Sequence, residues 1–168
     1  MIKIQEDFLD AQVFKDIQEL FLSNQIPWMY GETLPNSDDF QFVHMLYTYD
    51  QPVSNYFQQI HPLLSAMDLA SVCRVKANMN PRTSNIVKHG FHVDVPFKCK
   101  TSILYLNTND GYTMFEDGTK IESIKNRLVT FDSHIKHSGT SCTNQKVRLV
   151  LNINYFEFNP TQNDPITT

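Results

Sequence analysis

A series of short β-patterned segments in the C-terminal half of the chain most constrains the fold. These segments are rich in β-branched and aromatic residues, and turn signals such as Asn109-Asp110-Gly111 and Glu116-Asp117-Gly118 separate them. They cover residues 91–95, 101–107, 113–115, 128–131, 136–140 and 147–158. Many short strands at such spacing are typical of a sandwich or jelly roll, so the pattern predicts a mainly β fold.

The first 70 residues predict flanking helices and further strands. Asp10 is placed to cap a helix whose apolar residues fall on one face. A second helix is predicted from about residue 52 to residue 64, with Pro62 kinking or ending it. Strands are predicted at residues 2–5, 26–30, 40–49 and 72–78, and long loops at residues 31–39 and 79–90.

Length and composition favour one domain. The chain has 168 residues, 41% of them hydrophobic, and no low-complexity break divides it. We expect residues 1–158 to form this domain, with residues 1–70 supporting a β core at residues 72–158. Residues 159–168 are polar, and we expect them to form a frayed tail.

Charge and cysteine content argue against several classes of partner. The formal net charge is −4 with both signs scattered, so we expect no nucleic-acid or membrane partner. The N-terminus does not resemble a secretory signal, and no apolar run approaches the roughly 20 residues of a membrane helix. Three widely separated cysteines suit reduced thiols, which predicts a cytoplasmic protein. The sequence gives no indication of oligomeric state.

The triplet His92-Val93-Asp94 is half of a candidate metal site. Alternate residues of a strand point to one side, so the imidazole and the carboxylate would face the same point. His137 is the candidate second histidine; His134 competes with it and is less favoured because of its spacing to Arg148. Two histidines and one carboxylate form the facial triad of non-haem Fe(II) oxygenases.

Arg148 is the candidate anion-binding residue of this site. On the last predicted strand it alternates with apolar residues and so points inward, eleven residues after His137. A buried arginine requires an anion. Tyr105, if it points inward too, would donate to the same anion, and a metal with a distant arginine implies a ligand with a carboxylate at each end.

Together these motifs resemble the catalytic half of the Fe(II)/2-oxoglutarate-dependent dioxygenases, in the style of prolyl 4-hydroxylases and their small bacterial and phage-encoded relatives. The resemblance covers residues 72–158 and includes the segment 126–131 and the turn at Gly111. It implies a double-stranded β-helix (jelly-roll or cupin-like) fold. It also implies Fe(II), 2-oxoglutarate and O2 as cofactors, with succinate and CO2 released as a substrate is hydroxylated.

Carried over residue by residue, the resemblance makes His92, Asp94 and His137 the Fe(II) ligands. Arg148 would hold the C5 carboxylate of 2-oxoglutarate, and Tyr105 would hydrogen-bond the same group. Many relatives have Ser or Thr two residues after the arginine, where this chain has Val150. Nucleobase demethylases carry a second arginine six residues after the first, where this chain has Asn154, so nucleobase repair is disfavoured.

Several alternatives stay open at this point. The substrate is a peptidyl proline, a free amino acid or another small metabolite, and residues 31–39 and 79–90 would select it. The alternative functions are a non-catalytic sensor of metal or dicarboxylate and a cupin-like metalloenzyme without 2-oxoglutarate. Four further side chains are weaker candidates for the pocket: Arg74, Lys76, Asn78 and Tyr112. His89 is expected to be a solvated loop residue.

Overall fold

The computed structural model describes residues 1–33 and 39–158, and the predicted tail and part of the predicted loop at 31–39 lie outside these ranges. The described chain contains two α-helices and eleven β-strands. The helices are α1 (Ala11–Leu22) and α2 (His61–Ser65). The first five strands are β1 (Lys3–Gln5), β2 (Met29–Glu32), β3 (Phe40–Thr48), β4 (Gln51–Pro52) and β5 (Leu69–Pro81). The remaining six are β6 (Lys100–Tyr105), β7 (Tyr112–Phe115), β8 (Lys120–Glu122), β9 (Leu128–Asp132), β10 (His137–Gly139) and β11 (Val147–Glu157).

Eight of these strands form one antiparallel sheet, in the order β1-β9-β6-β11-β5-β3-β2, with β4 paired to β3. The long strand β11 lies between β6 and β5, and its register places Val150 opposite Tyr105 on one side and Asn78 on the other. The other three strands form a second antiparallel sheet in the order β10-β7-β8. Two packed antiparallel sheets of this kind are the mainly β jelly-roll fold that the sequence predicts.

The outer face of the large sheet packs against the helices. Asp10 caps α1, as predicted, because its carboxylate accepts hydrogen bonds from the backbone N–H groups of Gln12 and Val13. The buried face of α1 then meets every second residue of the central strands. This cluster includes Phe14, Ile17 and Phe21 of α1 together with Leu149, Leu151 and Ile153 of β11. Burial of large apolar side chains contributes about 1.5–3 kcal/mol for each, so this cluster holds the sheet firmly.

The inner face of the large sheet packs against the small sheet. Ile103, Tyr105 and Val150 of the large sheet meet Phe115 and Ile121 of the small one. The predicted alternation along β11 is therefore confirmed, since Val150 belongs to the inner cluster and Leu149 to the outer one. Four inward polar residues of β11 and β5 line a cavity between the two sheets: Arg148, Asn152, Asn78 and Asn80.

Four local predictions are wrong in extent. The second helix is a 3-10 turn, Gln58–Ile60, followed by the five-residue α2, in which Pro62 lies at the start and so opens the helix. Residues 91–95 do not form a continuous strand, since His92 makes an isolated bridge to His137. Strand β5 continues to Pro81 into the predicted loop, and the strand predicted at residues 26–30 begins at Met29.

No helix within the described residues is long and apolar enough to cross a membrane.

Candidate metal centre

The backbone brings the two candidate histidine ligands together. The His92 N–H donates to the His137 carbonyl and the His137 N–H donates to the His92 carbonyl, each at 3.0 Å. This reciprocal bridge joins the segment before β6 to strand β10, and the two imidazole centroids are 4.8 Å apart. His137 is 3% exposed, whereas His134 is exposed on the preceding turn.

Both imidazoles have their Nδ1 atom next to a backbone carbonyl and leave their Nε2 atom free. Nδ1 of His92 lies 3.1 Å from the Gly90 carbonyl, and Nδ1 of His137 lies 3.4 Å from the Ile135 carbonyl. Because a carbonyl only accepts hydrogen bonds, each Nδ1 carries the proton and each Nε2 presents its lone pair. A metal-ligating histidine usually has its second nitrogen engaged in this way.

Asp94 completes a group of three. Its Oδ2 lies 3.4 Å from His137 Nε2, its Oδ1 lies 3.9 Å from His92 Nε2, and the three ligand atoms all lie within 4.8 Å of one another. Two neutral imidazole nitrogens and one carboxylate converging on a point are the donor set that suits Fe(II) with open positions. The residues therefore fit the metal that the fold implies.

Two side chains from the large sheet fix Asp94. Asn152 Nδ2 donates to Oδ2 at 2.9 Å, and Arg74 Nη2 lies 2.8 Å from Oδ1 without the alignment of a hydrogen bond. Burial alone would raise the pKa of the Asp94 carboxyl, but His137, Arg74 and Asn152 more than offset this effect and lower the pKa to about 2. Asp94 is therefore a carboxylate at any physiological pH.

Aromatic rings hold His137 from behind. The Phe131 ring meets the His137 ring edge-on at 4.9 Å, and Phe115 packs against Phe131 at the same distance. Burial also lowers the pKa of His137, which keeps the imidazole neutral and able to bind a metal. The sequence does not predict that either phenylalanine packs behind His137, because alternating aromatic residues on short strands are typical of any hydrophobic core.

Arg148 lies in the wall of the same cavity and is 2% exposed. Its Nε donates to Ser123 Oγ at 2.8 Å and its Nη2 donates to Thr113 Oγ1 at 2.9 Å. No carboxylate of the described residues pairs with it, and burial lowers the pKa of its guanidinium. A buried cation that has only neutral partners leaves room for an anion, as the sequence predicts.

Tyr105 is fully buried beside Arg148, with the guanidinium 5.5 Å from the ring centroid. Its hydroxyl donates to Thr113 Oγ1 at 2.8 Å, so Thr113 accepts from both Tyr105 and Arg148. The Thr113 hydroxyl hydrogen is then left to donate into the cavity. Neither Thr113 nor Ser123 was a sequence candidate, since nothing in their local pattern marks a contact with a residue 25 or 35 positions away.

The weaker candidates divide into two groups. Arg74 and Asn78 are beside the site, since Arg74 contacts Asp94 and Asn78 lines the cavity. Arg74 Nε also donates to Asn154 Oδ1 at 2.9 Å, so Arg74 of β5 contacts both Asp94 and β11. Tyr112 lies away from the cavity, under the Lys120 ammonium.

His89 does not behave as predicted. It lines the cavity and its Nε2 lies 3.1 Å from Asn80 Oδ1, while its Nδ1 lies 3.4 Å from Asp39 Oδ2. The expectation of a solvated loop residue is therefore wrong. The turn that carries His89 folds back onto β5, and a chain-local pattern does not reveal such a contact.

Comparison with known proteins supports the fold. The chain matches no protein-family model and no curated protein. Among solved structures it is similar to a 2-oxoglutarate/Fe(II) oxygenase from Burkholderia pseudomallei, with a TM-score of 0.72, 13% identity and coverage of 94% of this chain and 86% of that chain.

Two further structures are similar to this chain. One is a prolyl hydroxylase from Trichoplax adhaerens in complex with a peptide fragment of hypoxia inducible factor, with a TM-score of 0.69, 17% identity and coverage of 93% and 83%. The other is the α-ketoglutarate-dependent epimerase SnoN of nogalamycin biosynthesis, with a TM-score of 0.68, 12% identity and coverage of 99% and 86%.

These likenesses identify the class of fold. The chain has the double-stranded β-helix fold of the 2-oxoglutarate/Fe(II) oxygenases, prolyl hydroxylases included, and it carries a His-x-Asp…His cluster between the two sheets. The resemblance stated from the sequence is confirmed at the level of fold.

Proposed function

We propose that the protein is an Fe(II)- and 2-oxoglutarate-dependent oxygenase that hydroxylates its substrate. The observation that carries this proposal is the pairing, in one cavity, of the His92, Asp94 and His137 cluster with a buried arginine that has no carboxylate partner among the described residues. A sensor of metal alone, or a cupin, does not need such an arginine.

Each residue has a distinct role in this proposal. His92, Asp94 and His137 hold Fe(II), which together with 2-oxoglutarate and O2 supplies the oxidising power for attack on a C–H bond. Arg148 binds the distal C5 carboxylate of 2-oxoglutarate. Arg74 and Asn152 hold the Asp94 carboxylate in place, so the metal ligands do not have to reorganise when the metal binds.

The hydrogen bond that we propose to the C5 carboxylate of 2-oxoglutarate differs from the one that the sequence predicts. Tyr105 points its hydroxyl at Thr113, so we propose that Thr113 makes the hydrogen bond to the C5 carboxylate and that Tyr105 orients Thr113. The Thr113 hydroxyl then does what Ser or Thr two residues after the arginine does in relatives, where this chain has Val150.

The cavity wall favours hydroxylation over epimerisation. An epimerase must return a hydrogen atom to the opposite face of its substrate carbon. The described residues that line the cavity offer imidazole, amide, hydroxyl, guanidinium and aliphatic groups, and none of them is a tyrosine or a cysteine that could supply that atom.

The reaction class is tested by following 2-oxoglutarate in air with Fe(II). Even without a second substrate, we expect slow, metal-dependent formation of one succinate for each 2-oxoglutarate consumed. His137→Ala should not form succinate. The exposed His134→Ala is the matched control and retains the rate. Binding of both metal and 2-oxoglutarate without any succinate would instead indicate a sensor.

A further inference from the structure

Strand β5 carries a lysine on the same face as the cavity-lining Asn78 and Asn80, next to the metal-binding end of the cavity. The register places Lys76 directly opposite Asn152, and Asn152 donates to the metal-site carboxylate of Asp94. Arg148 lies opposite Asn80, four residues further along β5, which is roughly 13 Å of extended strand. Lys76 and Arg148 therefore belong to opposite ends of the site, and Lys76 is the one beside the metal ligands.

The Lys76 ammonium has no hydrogen-bonded or ion-paired partner in the described ranges. Burial, reinforced by the neighbouring positive charge of Arg74, lowers its pKa to about 8, and Asp94 is the one group that offsets this effect. Asp94 is already paired with Arg74. Lys76 is half-buried, and a half-buried cation beside a second cation is unfavourable, so binding of an arriving anionic group at Lys76 would be favoured.

Charge balance in the loaded site leads to the same conclusion. A divalent metal and a doubly charged 2-oxoglutarate cancel each other. Asp94 then balances one of the three cations Arg74, Lys76 and Arg148. Two positive charges remain in the site, so a carboxylate group of the substrate is favoured beside Lys76.

Two unsatisfied acceptors lie beside the lysine. Asn152 is 4% exposed, and because its Nδ2 is committed to Asp94, its other terminal atom is a carbonyl oxygen with no donor. Asn78 Oδ1 is also buried without a donor, and both asparagines line the cavity. An unpaired buried acceptor costs about 1–3 kcal/mol, so a ligand that supplies N–H or O–H donors would recover that free energy.

We propose that the prime substrate is a free α-amino acid, with its carboxylate on Lys76 and its ammonium against Asn152 Oδ1 and Asn78 Oδ1. The inference rests on the proposed function and chooses among its substrates. A phosphate or a second dicarboxylate would place anionic oxygens against the two carbonyls, and a prolyl residue inside a peptide carries neither charge. A zwitterion satisfies the lysine and the two acceptors together.

The test uses the anaerobic complex of the protein with Fe(II) and 2-oxoglutarate, whose charge-transfer band changes when a substrate displaces metal-bound water. The probes are the twenty standard amino acids, each as the free acid, the carboxamide and the N-acetyl derivative. We expect at least one free acid to change the band, and its two derivatives to bind roughly 10- to 100-fold more weakly, since each loses a charged hydrogen bond.

Variants assign that preference to the lysine. Lys76→Met should weaken binding of the free acid by a similar factor and abolish its advantage over the carboxamide, while leaving the 2-oxoglutarate affinity unchanged. Lys76→Arg should restore part of the advantage. Lys120→Met, on an exposed strand, is the matched control and should behave as the wild type.

Several outcomes would overturn the proposal. One is that no amino acid changes the band, and another is that acid and carboxamide bind equally. A third is that Lys76→Met weakens 2-oxoglutarate instead, which would assign the lysine to the co-substrate. If no band forms before any amino acid is added, the oxygenase function itself fails, and the amino-acid proposal fails with it.

Discussion

At the scale of single residues, the site stores unfavourable interactions that a ligand would relieve. Within residues 1–33 and 39–158, Arg148 and Lys76 are cations without carboxylate partners of their own, and Asn152 Oδ1 has no donor. Such groups destabilise the empty protein, and proteins commonly trade stability for function in this way. The stability lost through these groups can be measured by replacing them.

Replacing the unpaired lysine should stabilise the metal-free protein. We expect Lys76→Met to raise the free energy of unfolding by roughly 1–2 kcal/mol at pH 7, because the variant no longer places a half-buried cation beside Arg74. Denaturant unfolding in the presence of EDTA measures this difference. Lys120→Met should change stability little, and a Lys76→Met protein less stable than the wild type would contradict this account.

The same lysine predicts a pH dependence. Its pKa is about 8 in the folded protein, against an ordinary lysine pKa of 10.5 that we assign to the unfolded chain. Between these values the unfolded chain binds more protons than the folded one, so the penalty is full below pH 8 and disappears as the pH approaches 10.5. The stability advantage of Lys76→Met should shrink over this window, and an advantage constant with pH would argue against a charge effect.

Gly111 leaves room for Arg148. A Cβ there would lie 2.5 Å from the Ser141 carbonyl oxygen and 2.7 Å from Arg148 Cδ. We expect Gly111→Ala to cost about 1–3 kcal/mol of stability and to displace the arginine, weakening 2-oxoglutarate binding. Gly31→Ala, whose Cβ would make ordinary contacts at 3.7 Å or more, is the control and should retain binding.

At the scale of elements, sequence patterns predict those structural features that depend only on residues close together in the chain. Asp10 caps α1 through its own first turn, and the alternation of β11 directs Arg148 inward, so both features are readable from the sequence. Contacts between distant segments are not readable in this way. Thr113 and Ser123 reach Arg148 only because β7 and the turn after β8 fold over β11.

The errors have physical causes of the same kind. Residues 91–95 alternate like a strand, but a single bridge to His137 is their strand pairing in the described structure, so the metal motif lies on an extended segment at the end of the small sheet. The sequence predicts that Pro62 kinks or ends a helix, whereas its fixed φ and missing N–H suit the first turn of α2, where it lies. Residue type and spacing predicted the candidate metal ligands, whereas contacts between distant segments decided that two of them lie on an extended segment and not on a continuous strand.

One asparagine fastens the entry of α1 to the large sheet. Asn126 has φ of 62°, donates to the Leu9 carbonyl at 2.8 Å and accepts from the Leu9 N–H at 3.0 Å. We expect Asn126→Gly, which tolerates the backbone angle, to lose about 1–3 kcal/mol of stability, and Asn126→Ala to lose about 1 kcal/mol more. Metal affinity should not change in either variant; a large fall in metal affinity would show that this fastening also shapes the site.

At the scale of the whole molecule, we expect folding not to depend on the metal. Apolar clusters cover both faces of the large sheet, and the Arg74–Asp94 pair neutralises the metal-site carboxylate when no ion is bound. We expect protein treated with EDTA to unfold in one cooperative thermal transition, with a divalent metal raising Tm through its binding free energy. A chain that lacks tertiary structure without metal would contradict this view.

The same architecture separates scaffold from chemistry. The helices and the outer face of the large sheet carry no residue proposed for the site, while β5, β6, β7, β10, β11 and the segment before β6 each contribute one or more. Stability variants in the outer cluster and binding variants in the cavity should therefore act additively, because they share no partners.

The central claim is that one cavity binds Fe(II) and 2-oxoglutarate through the His92, Asp94 and His137 cluster at one end and Arg148 at the other. The most direct measurement is anaerobic titration of 2-oxoglutarate into the Fe(II)-loaded protein, following the charge-transfer band, for the wild type, Arg148→Met and the exposed control Arg82→Ala. We predict a saturable band in the wild type and control, and roughly 10- to 100-fold weaker 2-oxoglutarate binding in Arg148→Met with iron binding retained. Iron binding without a band at saturating 2-oxoglutarate, or a band unaffected by loss of Arg148, would contradict the account.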